Sequence, residues 1–372
     1  MKVAVIGAGL SGCTIARLLK DRGHDVVIFE KHDRLGGLCA TATHGVRIYQ
    51  LFGPHIFHTD NESVIKFVSR FSQFNDYVHH KGTCVDGKIV PYPISYETIN
   101  MLNEKEQILK EISSLPKDRD MANFETFVTS MIGKTLYEKF IKNYTTKFWG
   151  APAETLAADW VTRRIEIRQD NSMGYFKSEW QGLPVDGYTK MLENMTEGIE
   201  VRYNAGVSNY EHLSCDLVVS SIPIDELLHF RFGRLTYRGF RFVVNFQETQ
   251  WENKRYGCIN YPDNDTAYIR KTNFSLCYKD ADNPPYIIGY DYPDKKSRMY
   301  PLYNSANKSI LNEYLLHLVK IKNLISIGRL GLFRYYDMDD AVRWCIDNAG
   351  AIENYPNLDP EKRLQLLFNM EK

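Results

Sequence analysis

The chain has 372 residues, 44% hydrophobic and 25% charged, ordinary proportions for a globular protein and length enough for two or three packed units. With 46 Lys and Arg against 46 Asp and Glu, no net field favours nucleic acid or an anionic membrane surface, so an anionic ligand needs local arginines. The 7 cysteines are scattered and never spaced as C-x-x-C, which argues against zinc and a disulfide framework and leaves a reducing, cytoplasmic compartment as the expectation. The apolar opening run is cut by Gly7 and Gly9 and reads as a strand rather than a signal peptide. No stretch approaches membrane length, and neither a fixed-period repeat nor a low-complexity tract is present.

In chain order, Lys2 to Ile6 is a buried-strand run, followed by Gly7-Ala8-Gly9-Leu10-Ser11-Gly12 and a helical pattern from Cys13 to Arg22. Gly7 suits the tight turn, Gly9 a close approach of pyrophosphate, and Gly12 the packing of helix on strand. A second strand ends at Glu30, where a ribose hydroxyl needs a carboxylate. The expectation is a dinucleotide site at a helix N-terminus. Gly36-Gly37 is either a second close approach to the cofactor or an ordinary loop. His55 and His58 have ligand-like spacing, but Gly53-Pro54 argues against a helix and no carboxylate or cysteine joins them. A polar loop touching cofactor or ligand is the preferred reading, with no metal. Asp60 is expected to cap a short helix with Val64, Phe67, Val68 and Phe71 on its apolar face.

Tyr77 to Ile94 reads as strands with a tight turn at Asp86-Gly87. Glu97 to Leu156 reads as helical, with one nearly continuous apolar stripe from Phe124 to Tyr144. Most of that stripe is core material, although Phe140 and Tyr144, beside Trp149, could clamp a planar base. Arg163, Arg164 and Arg168 form a basic cluster, either a solvated face or a diphosphate site. Asp170 to Gly174 and Gly182 to Tyr188 read as a mobile loop and a turn. Asp216 to Pro223 is a buried strand expected to return to the first sheet, and Arg238 to Tyr292 reads as antiparallel strands with Arg270 beside Tyr268. Leu324 to Gly328 ends a further strand in glycine, and Asp337 caps a helix through Val342 and Ile346. That ending places a second helix N-terminus near bound cofactor.

Gly36-Gly37 after the ribose acid resembles flavoproteins that wrap FAD, which turns the expected cofactor to FAD. Over essentially its full length the chain resembles the bacterial UDP-galactopyranose mutase family. The matching stretches are Gly7 to Gly12, Gly36-Gly37, Gly53 to Thr59, Tyr144 to Gly150, Arg163-Arg164-Ile165, Gly182 to Thr189, and Gly328 through Met338. The first two recur in many flavoproteins, and the others in this order are specific to the family. The resemblance implies an α/β fold: a Rossmann-like FAD-binding domain with an inserted helical-bundle domain and an antiparallel β-sheet domain. The expected divisions are 1–75 with 205–230 and 310–372 for FAD, 97–180 for the helices, and 76–96 with 181–204 and 231–309 for the substrate sheet.

The implied function is an isomerase for the pyranose and furanose forms of a nucleotide sugar, in the first place UDP-galactopyranose and UDP-galactofuranose. Reduced flavin N5 attacks the anomeric carbon with no net redox change, serving cell-surface polysaccharide synthesis in the cytoplasm. This agrees with the residues, since no Ser-His-Asp, Cys-His or paired-carboxylate arrangement offers a protein nucleophile. By position, the resemblance assigns cofactor binding to Gly7, Gly9, Gly12, Glu30, Lys31, Gly37, Leu38, His55, Gly328, Arg329 and Met338. It assigns substrate binding to Phe140, Tyr144, Thr145, Trp149, Arg164, Tyr175, Arg270, Tyr300 and Tyr335. Catalytic roles fall to His58, Arg164, Arg270, Tyr335 and Asp337. NAD(P)H as a loosely bound reductant and a homodimer are further expectations.

The chain departs from the family in four places, one of them the mobile loop near Asp170 to Gly174, which differs in length and content. Pro91-Tyr92-Pro93-Ile94-Ser95 lacks the usual asparagine, Asp291 stands for a glutamate, and Pro54 for an alanine. Diphosphate positions are kept while sugar-facing ones vary, so dTDP-fucopyranose or UDP-N-acetylgalactosamine stay open as substrates. A redox flavoenzyme of the amine oxidase type is the alternative from another class.

Overall fold

The strand Lys2–Ile6 is hydrogen-bonded on both sides, to Leu217–Ser220 and to Asp25–Phe29, and its residues Val3 to Ile6 are buried. The computed structural model describes every residue except 159–164, 171, 173, 250, 252, 281 and 369–372. Leu324–Ser326 and Glu200–Arg202 complete a five-stranded sheet, parallel throughout, in the order Leu324–Ser326, Leu217–Ser220, Lys2–Ile6, Asp25–Phe29, Glu200–Arg202. Covered on both faces, such strands carry unbroken apolar runs instead of alternation, which is the pattern of Val3 to Ile6. The helix Leu10–Asp21 buries Ile15, Ala16 and Leu19 and packs against Met338–Glu353 and Gly187–Met195. The strand from Asp216 therefore returns to the first sheet as expected. The segment 181–204, expected with the other sheet, differs. Its strand Glu200–Arg202 edges the parallel sheet, and Met191, Leu192 and Met195 are wholly buried in that core, so apolar burial places the segment here.

A second sheet has seven strands in the order Tyr300–Pro301, Tyr237–Gln247, Tyr286–Asp294, Arg270–Asn273, Cys258–Asn260, Lys81–Val85, Lys88–Tyr92. The hairpin turn falls at Asp86 and Gly87, with φ of 51° and 74°, the left-handed pair that matches strand twist. The sheet is not antiparallel throughout, because Cys258–Asn260 runs parallel to Lys81–Val85. No tight turn joins those two strands, so nothing local dictates their relative direction. The strand expected at Tyr268 begins at Arg270.

In the chain, the helices Tyr96–Asn100, Lys105–Ser113, Phe124–Ile132 and Asn143–Trp149 follow the hairpin of Lys81–Val85 and Lys88–Tyr92. The single stripe expected from Phe124 to Tyr144 is interrupted. Gly133 turns the backbone to φ 88°, where an added Cβ would meet Glu111 Oε2 at 2.9 Å, and Tyr137–Lys142 then winds as a π-helix. The short helix Glu62–Val68 is capped by Asn61, whose side chain accepts from Val64 N, and not by Asp60, which accepts the Glu179 amide instead.

The tightest contact in the parallel domain is at Gly12, where a Cβ would lie 1.9 Å from the Gly7 carbonyl oxygen. Gly12→Ala is expected to cost about 1–3 kcal/mol, the usual range for overpacking. Urea unfolding is the measurement, and a variant as stable as the parent would contradict this account of the turn.

Candidate active site

The helix Leu10–Asp21 starts at Gly9 with no side-chain cap, so its first backbone N–H groups open onto a cavity of about 950 Å³. The left-handed φ of Gly7, 95°, turns the chain at the end of the strand, and Gly9 and Gly37 lie against each other across the cavity rim. Glu30, 6% exposed, accepts the Ala8 amide at 2.8 Å and the His32 amide at 2.9 Å. These bonds fix the carboxylate at the cavity wall and leave lone pairs for a ribose hydroxyl. Lys31, Leu38, His55, Gly328, Arg329 and Met338 line the same cavity, whereas Gly12 supports the turn from behind. A side chain at Gly328 would meet Ser11 Oγ at 2.7 Å. These residues suit an elongated dinucleotide, with a donor-rich helix start for its phosphates.

Asp337 and Met338 open the helix Met338–Glu353 at the cavity wall, and Asp337 donates its backbone N–H to Asp340 at 3.1 Å. The cap was legible in the sequence. His58, on the strand Phe57–Thr59, places Nε2 3.9 Å from Asp337 Oδ2 and Nδ1 3.3 Å from Ser178 Oγ, and stacks on Phe176 at 3.8 Å. On the helix that Asp337 caps, Asp339 has its carboxyl pushed up to about 6 by burial and by the charges of Asp340 and Asp337. His55 has its ring Nδ1 2.9 Å from the Gly53 carbonyl, and its backbone is held by Gln50 and the Tyr188 hydroxyl. Burial, then the charge of Arg329, push its pKa down to about 4, so the ring is neutral around pH 7. Among the described residues, no three His, Cys, Asp or Glu gather in a way that could hold a metal ion, and no helix is long and apolar enough to cross a membrane.

Beyond His55 stands an aromatic wall. Tyr300 and Tyr335 stack at 5.8 Å, and the Arg329 guanidinium sits 5.0 Å and 5.3 Å over their rings while donating to the Tyr336 carbonyl. Trp149 meets Tyr300 at 6.3 Å, and Tyr144 stacks with Phe148 at 6.1 Å. Arg270 lies 5.4 Å over Phe240 and donates to Asp291, the residue that stands where the family has a glutamate. Burial works against the guanidinium, yet the Asp291 carboxylate raises its pKa well above the ordinary arginine value. Tyr175 stacks with Tyr92 at 6.2 Å.

Some expected partners are separated. Phe140, 3% exposed, packs in the helical core with Leu136 and Ile141, while Tyr144 joins a different cluster with Phe240 and Ile269. The π-helix Tyr137–Lys142, which holds Phe140, widens the turn and shifts the side chains off the single face that ordinary helical spacing implies. Thr145 is buried beside them. Arg168 is structural, donating to the Gly174 and Tyr175 carbonyls and to Glu166. Arg163 and Arg164 lie outside the described residues.

A parallel sheet with an uncapped dinucleotide turn, and beside it Arg329 over the Tyr300–Tyr335 pair with Arg270 on a second sheet, defines a Rossmann-type enzyme with an arginine- and tyrosine-rich site. The family model of UDP-galactopyranose mutase matches residues 139–335, and that of the NAD(P)-binding Rossmann-like domain residues 5–71. A probable UDP-galactopyranose mutase of Klebsiella pneumoniae is 30% identical, covering 93% of this chain and 93% of that protein. A dTDP-fucopyranose mutase of Escherichia coli is 29% identical, covering 94% and 97%. The crystal structure of a reduced UDP-galactopyranose mutase superposes with a TM-score of 0.82 at 18% identity over 99% of this chain and 96% of that one. The chain belongs to the UDP-galactopyranose mutase family, whose members isomerise nucleotide-sugar pyranoses.

A depressed histidine pKa withdraws stability as pH falls from 6.5 toward about 4, because the unfolded chain takes the proton first. In ring-labelled enzyme, His55 should show its NMR inflection near pH 4. An inflection between 6 and 7 would refute the neutral assignment.

Proposed function

We propose that this protein is an FAD-dependent mutase that interconverts UDP-galactopyranose and UDP-galactofuranose. The observation that carries the reading is that Arg329, which lines the cavity of the uncapped dinucleotide turn together with His55, also lies over the stacked Tyr300–Tyr335 pair, while Arg270 is near enough to His55 to act on it by charge. The residues around Gly9, Glu30, Gly37, Arg329 and Met338 would hold FAD, with the Leu10–Asp21 helix start receiving its phosphates. When bound and reduced, FAD supplies at N5 the electron pair that the anomeric carbon receives, so the reaction has no net redox change.

The chain's own groups bind and orient. Arg270, kept charged by Asp291, faces the negative charge that grows on the diphosphate as its bond to the sugar breaks. Hydroxyls of Tyr175, Tyr300 and Tyr335 donate to diphosphate oxygens, with Arg164 as the second arginine. Trp149 and Tyr144 exclude water beside the sugar and the base. The neutral His55 ring adds no positive charge that would compete for the substrate anion. His58 and Asp337 hold the polar edge at the sugar end. On the same reading the reductant is NAD(P)H, the enzyme is a cytoplasmic homodimer, and its product enters cell-surface polysaccharide. The Escherichia coli relative supports dTDP-fucopyranose as the second reading of the substrate.

Dithionite-reduced enzyme incubated separately with UDP-galactose and dTDP-fucopyranose should form the furanose isomer of one, with the flavin spectrum unchanged at the end. Stoichiometric substrate oxidation by oxidised FAD would establish a redox enzyme instead. Arg270→Ala should lose roughly 1.5–3 kcal/mol of nucleotide-sugar binding, tenfold or more in Kd, as a charge-assisted contact does. Unchanged affinity and turnover in that variant would remove Arg270 from the site.

A further inference from the structure

One face of the seven-stranded sheet carries two adjacent rows of residues. Thr83, Asn260, Arg270 and Asp291 lie side by side in one row, and Tyr92, Lys81, Cys258 and Thr272 in the next. In the first row, Thr83 Oγ1, Asn260 Oδ1 and Asp291 Oδ1 are buried and have no hydrogen-bond partner among the described residues. Buried polar atoms are rarely left in that condition without a ligand or water to meet them.

Lys81 is the stranger member of the face. It is 6% exposed, on a strand position where an apolar side chain is the ordinary choice. Its ammonium lies 4.7 Å from the centre of the Tyr175 ring and 5.9 Å from that of Tyr92. Among the described residues no carboxylate or other acceptor is bonded to it. Asp291 is near enough to feel its charge, but the Oδ2 of that carboxylate is engaged by Arg270. The pair Arg270–Asp291 is close to neutral, so Lys81 is a buried cation with no carboxylate in ion-pair contact among the described residues. Such a charge is costly unless an anion arrives to meet it. Tyr175 and Tyr92 can hold the ammonium in place through their ring faces while it waits.

We propose that Lys81 is a second cation of the substrate pocket and contacts an anionic oxygen of the nucleotide sugar, on the diphosphate or on an acidic hexose. This rests on the mutase reading above, which supplies the substrate class. Arg270 and Lys81 stand two strands apart, roughly 10 Å, a span that two long side chains bridge from opposite sides of one ligand. The lysine is a binding residue.

The test uses FAD-loaded, full-length enzyme with Lys81→Met, the second neutral variant Lys81→Gln, and Lys81→Arg. UDP, dTDP, UDP-galactose and UDP-galacturonate are titrated by calorimetry. The neutral variants should lose tenfold or more in Kd for at least one of these ligands, and Lys81→Arg should recover most of it. An equal loss for UDP and UDP-galactose assigns the diphosphate, and a loss confined to UDP-galacturonate assigns a sugar carboxylate. Ligand-free Lys81→Met should melt no lower than the parent, because an unpaired buried charge has been removed. Affinities within twofold of the parent for every ligand would overturn the inference and leave the mutase reading standing. Melting well below the parent in both neutral variants would make Lys81 a structural residue and also overturn it. A parent enzyme that binds none of the four overturns both.

Discussion

With only hydrogen at Gly12, the helix Leu10–Asp21 closes so far onto the turn before it that a methyl group there would sit 1.9 Å from the Gly7 carbonyl oxygen. That closeness sets the helix axis, and the axis decides what meets the cavity. Its unsatisfied N–H groups open onto the cavity that Gly9 and Gly37 line, and among the described residues no side chain caps them. Its buried face packs on Met338–Glu353, which brings a second helix start, with Asp337 and Met338, to the same cavity. One steric allowance therefore arranges both ends of the dinucleotide site.

The second sheet depends on a different constraint, the sorting of charge in a low dielectric. Asp291 is 1% exposed and would be untenable alone, and Arg270 at 14% is held by it. Burial keeps His55 neutral beside Arg329 and Arg270, so the positive groups of the site stay few and separately placed. Lys81 adds one more charge, with no carboxylate in ion-pair contact among the described residues.

Several features were legible in the sequence because they rest on contacts between near neighbours. The strand-turn-helix at Gly7 to Gly12, the Asp86-Gly87 hairpin and the Asp337 cap each depend on a few consecutive residues, and each is where the pattern placed it. Asn61 taking the cap expected of Asp60 is a miss of one position, since both residue types accept helix amides equally well. The stripe from Phe124 to Tyr144 misled because ordinary helical spacing was assumed through a π-helix. No local signal announced the Arg270–Asp291 pair. It forms because adjacent antiparallel strands put those residues directly opposite one another, 21 positions apart in the chain.

By itself, then, the sequence determined the dinucleotide-binding half, since glycines, a helix start and a ribose acid act within about thirty residues of one another. The family follows from motifs spread over the whole length. Only the tertiary structure decided which polar groups share a face. Strand register brought Thr83, Asn260, Arg270 and Asp291 into one row and buried Lys81 next to it. A lysine in a strand reads as a solvated edge until the neighbouring strands are known. Burial is a property of those neighbours, and the chain supplies them from four distant segments.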